Sequence, residues 1–276
     1  MDLNSITEVV APRARSGLPP WRPGDAWLAG GTWLFSEPQE GLSRLVDLPS
    51  LGWEPFTVGE ADLRIAATCT IAALDRIALP AAFTAAPLVG LCCRALLGSF
   101  KVWNAATVGG NLCLALPAGP MIALAVALDG LSLIWTPEGG ERTLPVRDLV
   151  RGPQETALRP GEILREIVLP AAALRRRAAF RRLSLSPNGR SGALAIATLD
   201  PAGAFALTVT AATRRPVRID LPALPEAGAL AAALQAAIPD GLWYDDVHGA
   251  PDWRRHVTGL LAEEARAELM GGGACG

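Results

Sequence analysis

The sequence predicts an α+β protein of about two domains, and three observations lead there. Its 276 residues exceed one average domain of roughly 150. Half of them are hydrophobic and 19% are charged, which is enough to build real cores and excludes a disordered chain or a disulfide-stapled miniature. Short β-type runs closed by Gly, Pro and Asp turns are interspersed with alanine-rich stretches long enough for helices.

Taken in order, Ala26 to Ala29 reads as a strand running into Gly30-Gly31-Thr32, and Leu42 to Leu48 as a second strand ended by Pro49, so the first 50 or so residues form a small α/β unit. Phe56 to Val58 and Leu63 to Ala67 flank a Gly-Glu-Ala-Asp turn as a hairpin, and Thr70 then caps a helix through Arg76. Pro80 to Leu97 is helical by length and alanine content. A glycine-rich turn at Thr107 to Asn111 leads into the apolar helix Met121 to Leu128. Strands follow at Leu131 to Trp135 and Arg142 to Val146, turned by Pro137 and Gly139-Gly140, and another at Glu162 to Leu169.

Pro170 and the alanines after it mark the domain boundary, giving residues 1–172, in subdomains of about 1–55 and 56–172, and residues 173–276. The second part reads as three strands, Ala178 to Leu185, Ala193 to Leu199 and Phe205 to Ala212, then helices at Ala227 to Ile238 and Asp252 to Met270. Gly271-Gly272-Gly273 and its remainder read as a disordered tail.

Several function classes are disfavoured. A formal net charge of −2 offers no basic field to nucleic acid. The most apolar stretch, Leu112 to Trp135, is broken by Pro117, Gly119, Pro120 and Asp129, so it lacks the roughly 20 continuous apolar residues of a membrane span. The chain opens with Asp2, Asn4 and Glu8 instead of a basic and then apolar leader, which makes the cytoplasm the expected compartment. Its five cysteines form no C-x-x-C pair, and its two histidines, His248 and His256, lie near the C-terminus. The search therefore turns from side-chain chemistry to cofactor chemistry.

Two segments carry it: Leu28-Ala29-Gly30-Gly31-Thr32-Trp33-Leu34-Phe35 and Asn104-Ala105-Ala106-Thr107-Val108-Gly109-Gly110-Asn111-Leu112. Paired glycines permit positive φ and close approach of a ligand, and successive N–H groups form an anion nest that needs no lysine. Either motif alone is as consistent with a plain turn, as Gly139-Gly140 illustrates. Together they can be two loops meeting over one long ligand, a dinucleotide, and neither has the G-x-G-x-x-G spacing of a Rossmann turn.

The pair A-G-G-T at 29–32 and N-x-x-T-V-G-G-N at 104–111, with P-G-E-I-L at 160–164 and F-R at 180–181, resembles the flavin-binding medium subunit of molybdenum hydroxylases, relatives of carbon monoxide dehydrogenase and xanthine dehydrogenase. The resemblance covers nearly the whole chain. It implies non-covalent FAD in the fold of vanillyl-alcohol-oxidase (PCMH) type flavoproteins, in two subdomains, followed by a C-terminal domain of three-stranded antiparallel sheet with helices.

By the same resemblance, Leu28, Ala29, Gly30, Gly31, Thr32, Trp33, Leu34 and Phe35 line the diphosphate. Thr107, Gly109, Gly110 and Asn111 contact the diphosphate, ribityl chain or ring. Leu97 is a FAD neighbour, Leu164 supplies a backbone contact near the flavin, and Arg181 matches a basic family position. The implied partners are a 2Fe-2S small subunit and a molybdopterin-binding large subunit, with NAD, a quinone or oxygen as electron acceptor.

The chain departs from the family pattern at Trp103, where relatives carry arginine, and at Pro120, where they carry aspartate; Leu116-Pro117 replaces the usual D-P or S-P. These departures bear on cofactor affinity, and they are what a flavin-free assembly subunit of the same complex would show. A self-contained flavin oxidase is the other alternative, disfavoured by the lack of histidines near the motifs. Cys92-Cys93 read as buried apolar residues and Cys113 as loop packing instead of a flavin tether. Trp33 and Trp103 read equally as stacking or as core residues.

Overall fold

A computed structural model describes residues 3–271, and the glycine-rich tail expected beyond Gly271 lies outside them. The first sheet is small and parallel: β1 (Glu8–Val10), β2 (Asp25–Leu28) and β3 (Arg44–Asp47), in the order β1-β3-β2. Arg44 and Asp25 pair across β2 and β3 at 2.6 Å with both side chains buried, and Arg44 also donates to the Pro20 carbonyl. A fixed, hydrogen-bonded charge pair thus sits under the point where β2 leaves the sheet.

The second sheet is antiparallel, in the order β4-β5-β10-β6-β7. Its strands are β4 (Phe56–Val58), β5 (Asp62–Ala66), β6 (Leu131–Trp135), β7 (Glu141–Pro145) and β10 (Ile163–Pro170). A short hairpin, β8 (Val150–Gly152) and β9 (Glu155–Thr156), stands apart. The helices here are α1 (Ile71–Asp75), α2 (Pro87–Ala95), α3 (Phe100–Ala105), α4 (Val108–Leu114), α5 (Pro120–Ala127), α6 (Val146–Leu149) and α7 (Ala171–Leu174). Helix α2 starts later than the expected Pro80, because Phe83 and Ala86 close turns onto Pro80 and Phe83 before Pro87 can open a helix at its first position.

Two features join the first sheet to the second. The Arg165 guanidinium lies 4.4 Å from the Trp53 ring and 5.8 Å from that of Trp135, while Arg15 covers Trp135 at 4.4 Å. Trp27 of β2 donates its indole N–H to the Glu162 carbonyl at 3.0 Å, and the buried Glu162 carboxylate takes Arg142 at 2.6 Å. Cation–π contacts and charge-assisted bonds of this kind set the spacing of the two units.

Past α7 the chain forms four antiparallel strands, where three were expected: β11 (Arg177–Leu183), β12 (Ala193–Leu199), β13 (Phe205–Thr210) and β14 (Val217–Leu221). The additional strand has the period-2 pattern of an edge, with Val217 and Ile219 buried and Asp220 exposed. Helices α8 (Ala227–Ala237) and α9 (Pro251–Met270) cover one face of this sheet and share its second core.

Every residue of α5 is buried, because β12 and β13 of the C-terminal sheet lie against it as well as the helices of its own unit. That explains an apolar helix without a polar face. Arg218 of β14 donates to the carbonyls of Val126 and Ala127 at its C-terminal end and pairs with Asp129 at 2.9 Å, a cation placed where the helix dipole is negative.

Candidate flavin site

β2 delivers residues 29–35 to the edge of a cleft. Gly30 admits no side chain, since a β-carbon there would lie 1.7 Å from the Ala105 carbonyl oxygen. Gly31 has φ +67° and packs against the Phe35 ring, and the Phe35 and Ser36 amides turn back onto the Gly31 and Trp33 carbonyls. The backbone amides of Gly30, Gly31, Thr32, Trp33 and Leu34 donate to no acceptor among the described residues. Five successive unpaired donors beside one opening make an anion-binding surface.

The second motif is built differently from the expected turn. Thr107 caps α4 by accepting the Gly110 amide at 3.0 Å, and the Val108 and Gly109 amides bond to the Cys69 and Ala67 carbonyls at 2.9 and 2.8 Å. These donors are consumed by the fold, so residues 107–111 are a helix start and not a nest. Gly109 faces inward, where a β-carbon would fall 2.4 Å from that of Ala67; at Gly110 the sole neighbour within 4 Å is the Thr107 hydroxyl. Gly110, Asn111 and Leu114 face the cleft, as one side of a helix must. Asn111 accepts the Met121 amide on Oδ1 at 3.0 Å, which leaves its Nδ2 as a free donor.

The cleft encloses about 690 Å³, within the roughly 300–1,000 Å³ of cofactor pockets. Ala95, Leu96, Leu97 and Val102 give it an apolar wall, Leu116 and Gly119 continue its floor, and among the described residues no carboxylate lines it. Its one histidine and one arginine, His248 and Arg190, come from the C-terminal part of the chain. Sequence reasoning missed both, since nothing local marks either loop.

Residues 5–172, more than half of the chain, match the family of the FAD binding domain in molybdopterin dehydrogenase. The chain belongs to that family, and FAD is its cofactor. The carbon monoxide dehydrogenase medium chain of Afipia carboxidovorans is 28% identical over 175 residues, 58% of this chain and 58% of that one. The chain thus aligns with less than two thirds of the length of this curated relative.

Two solved structures share the fold. One is a reconstituted CO dehydrogenase from Oligotropha carboxidovorans, with a TM-score of 0.81, 22% identity and coverage of 97% of this chain and 99% of that one. The other is quinoline 2-oxidoreductase from Pseudomonas putida 86, with a TM-score of 0.77, 21% identity and coverage of 98% and 100%.

The residues present fit FAD. The free amides at 30–34 suit a diphosphate, Asn111 Nδ2 suits a carbonyl or hydroxyl, and the absence of lining carboxylates spares an anion repulsion.

Of the residues expected at the site, Leu28, Ala29, Gly30, Gly31, Thr32, Trp33, Leu34, Leu97, Thr107, Gly110 and Asn111 line the cleft. Phe35 stands behind Gly31, and Gly109 behind Gly110. Leu164 and Arg181 are elsewhere. The Leu164 side chain is buried in β10, and Arg181 pairs on the C-terminal sheet with Glu264 at 3.2 Å and Glu268 at 2.6 Å.

Trp103 donates to the Leu96 carbonyl at 3.1 Å and braces the apolar wall from behind, whereas Trp33 lines the cleft. Cys92 and Cys93 are buried, and burial pushes the Cys93 thiol up to about 12; Cys113 is exposed beside the cleft. Among the described residues no group of His, Cys, Asp and Glu is placed to hold a metal, and no helix is long and apolar enough to cross a membrane.

Proposed function

We propose that this chain is the FAD-binding electron-transfer subunit of a molybdenum hydroxylase, receiving electrons from a partner's iron–sulfur cluster and passing them to NAD, a quinone or oxygen. The reading divides the chain into a flavin domain at 1–172 and a C-terminal domain at 173–276. The observation that carries it is the run of amides from Gly30 to Leu34, unpaired among the described residues, beside a cleft that no described carboxylate lines.

FAD, when bound, supplies one- and two-electron transfer. The chain's residues bind and orient it: the 30–34 amides hold the anionic diphosphate, Asn111 offers a neutral donor, and the Ala95–Leu97 wall excludes water from one side. The cleft's sole imidazole, His248, comes from the far end of the chain, which favours electron relay over substrate deprotonation by this subunit. The similarity to a chain named as the medium chain of a carbon monoxide dehydrogenase supports partners of small and large size.

The test is a tagged pull-down from the native source, with visible spectra, metal analysis and an activity assay using an artificial acceptor. Co-purification with a cluster-bearing and a molybdopterin-bearing polypeptide, and inactivity of the chain alone, are expected. Oxidation of an organic substrate by the isolated, metal-free chain would replace this reading with a self-contained oxidase, and a colourless complex would replace it with a flavin-free assembly subunit.

A further inference from the structure

The two ends of the cleft are chemically different, and helix α4 separates them. At its N-terminal end Gly30 presses on Ala105, which places the free amides of 30–34 there. Beyond its C-terminal end lie Leu116 and Gly119, and the Pro117 carbonyl accepts the Ala211 amide at 2.7 Å from the C-terminal sheet. Seven residues of α-helix span about 10 Å.

The buried Arg254 fixes what stands over that second end. Its guanidinium donates to the Gly249 carbonyl at 2.7 Å, to the Gly192 carbonyl at 2.9 Å and to the Ala211 carbonyl, and it pairs with Asp246. Asp246 in turn accepts the His248 amide at 2.8 Å. One side chain therefore pins both segments that present cleft residues, His248 beside Gly249 and Arg190 beside Gly192. The Arg190 and His248 side chains have no partner among the described residues, and the nearby Asp246 charge is spent on Arg254.

We propose that Arg190 and His248 form the ring end of the flavin cleft and stabilise the reduced ring as an anion. The inference rests on the flavin reading above. The 30–34 amides stand at the N-terminal end of α4 and the segments that carry Arg190 and His248 at its C-terminal end, about 10 Å of helix apart, so a diphosphate on those amides leaves the two side chains to a terminal part of the dinucleotide. The adenine end stays neutral throughout. The ring end would gain charge: two electrons from the iron–sulfur partner, or from dithionite in the test, together with one proton from solvent would leave the neutral ring with one net negative charge. The Arg190 cation and the His248 ring N–H donor there favour the reduced form over the oxidised one.

The test is the two-electron midpoint potential of the bound flavin in the purified chain. Arg190→Gln is expected to lower it by ~30 mV, a tenfold loss in binding of reduced relative to oxidised FAD. The Arg190→Gln/His248→Gln double variant is expected to lower it further, and Arg190→Lys to restore it, with oxidised FAD bound as tightly as before in each. An unchanged potential in the double variant with FAD bound overturns the inference. Equal weakening of both redox forms also overturns it, placing the two side chains against the diphosphate or adenosine. A wild-type chain that takes up no FAD removes the flavin reading itself.

Discussion

Gly30 sits against Ala105 so closely that the space for a β-carbon is filled by the Ala105 carbonyl oxygen. This contact brings the amide-bearing loop of the first unit onto the helical unit that floors the cleft. Gly30→Ala is therefore expected to push the loop away and abolish FAD retention. Gly228→Ala, at an open position of α8, is expected to retain full flavin content. The check is the ratio of flavin to protein absorbance after gel filtration; equal loss in both variants would count against the contact.

The two glycines of α4 are expected to separate fold from binding. Gly109→Ala forces a β-carbon onto Ala67 and destabilises the chain by about 1–3 kcal/mol, as overpacking does. Gly110→Ala meets the Thr107 hydroxyl alone, at 2.9 Å, which a shift of that side chain relieves, and is expected to lower the melting temperature less than Gly109→Ala does while lowering FAD affinity. Thermal melts of the apoprotein and fluorescence titration with FAD distinguish the two.

Acid sensitivity follows from two buried carboxylates. The Arg44 guanidinium holds Asp25 below the usual carboxylate range, and Arg142 does the same for Glu162. A depressed folded pKa contributes stability that is complete above the unfolded value and lost as pH falls through the folded one. Unfolding free energy is thus expected to drop as pH is lowered below about 4. Asp25→Asn is expected to destabilise the chain at pH 7, because Arg44 keeps the Pro20 carbonyl and Glu8 but loses its two bonds to the Asp25 carboxylate, and to reduce this acid limb. Urea titrations at several pH values measure both.

The flavin is expected to be non-covalent. Cys113, an exposed thiol, is the cysteine that lines the cleft among the described residues, and Cys113→Ala is expected to leave flavin content unchanged. Acid precipitation of wild type should release all flavin to the supernatant; a yellow washed pellet would contradict this.

The backbone of the first loop was legible in the sequence, because adjacent glycines after a strand have few uses: Gly30 is demanded by a close approach and Gly31 by a positive φ. The sequence by itself also determined the helix cap at Thr70 and the buried character of the Met121 to Leu128 segment, both local in origin. The second glycine pair read the same way yet folds differently. Its amides are claimed by Cys69 and Ala67, partners supplied by a strand end some 40 residues earlier, so spacing alone does not distinguish a nest from a helix start. The fourth C-terminal strand escaped notice because five residues between prolines become a strand only when a neighbour such as β13 offers its edge.

Tertiary structure alone decided the far wall of the cleft. Arg190 and His248 lie in unremarkable loops, and they meet the flavin motifs only because Arg254 joins the nearby Gly249 carbonyl to those of the distant Gly192 and Ala211, and Ala211 bonds to Pro117. A short motif encodes backbone conformation at its own position. Which charged side chain arrives opposite it depends on how the sheets pack, and that is set by the whole core.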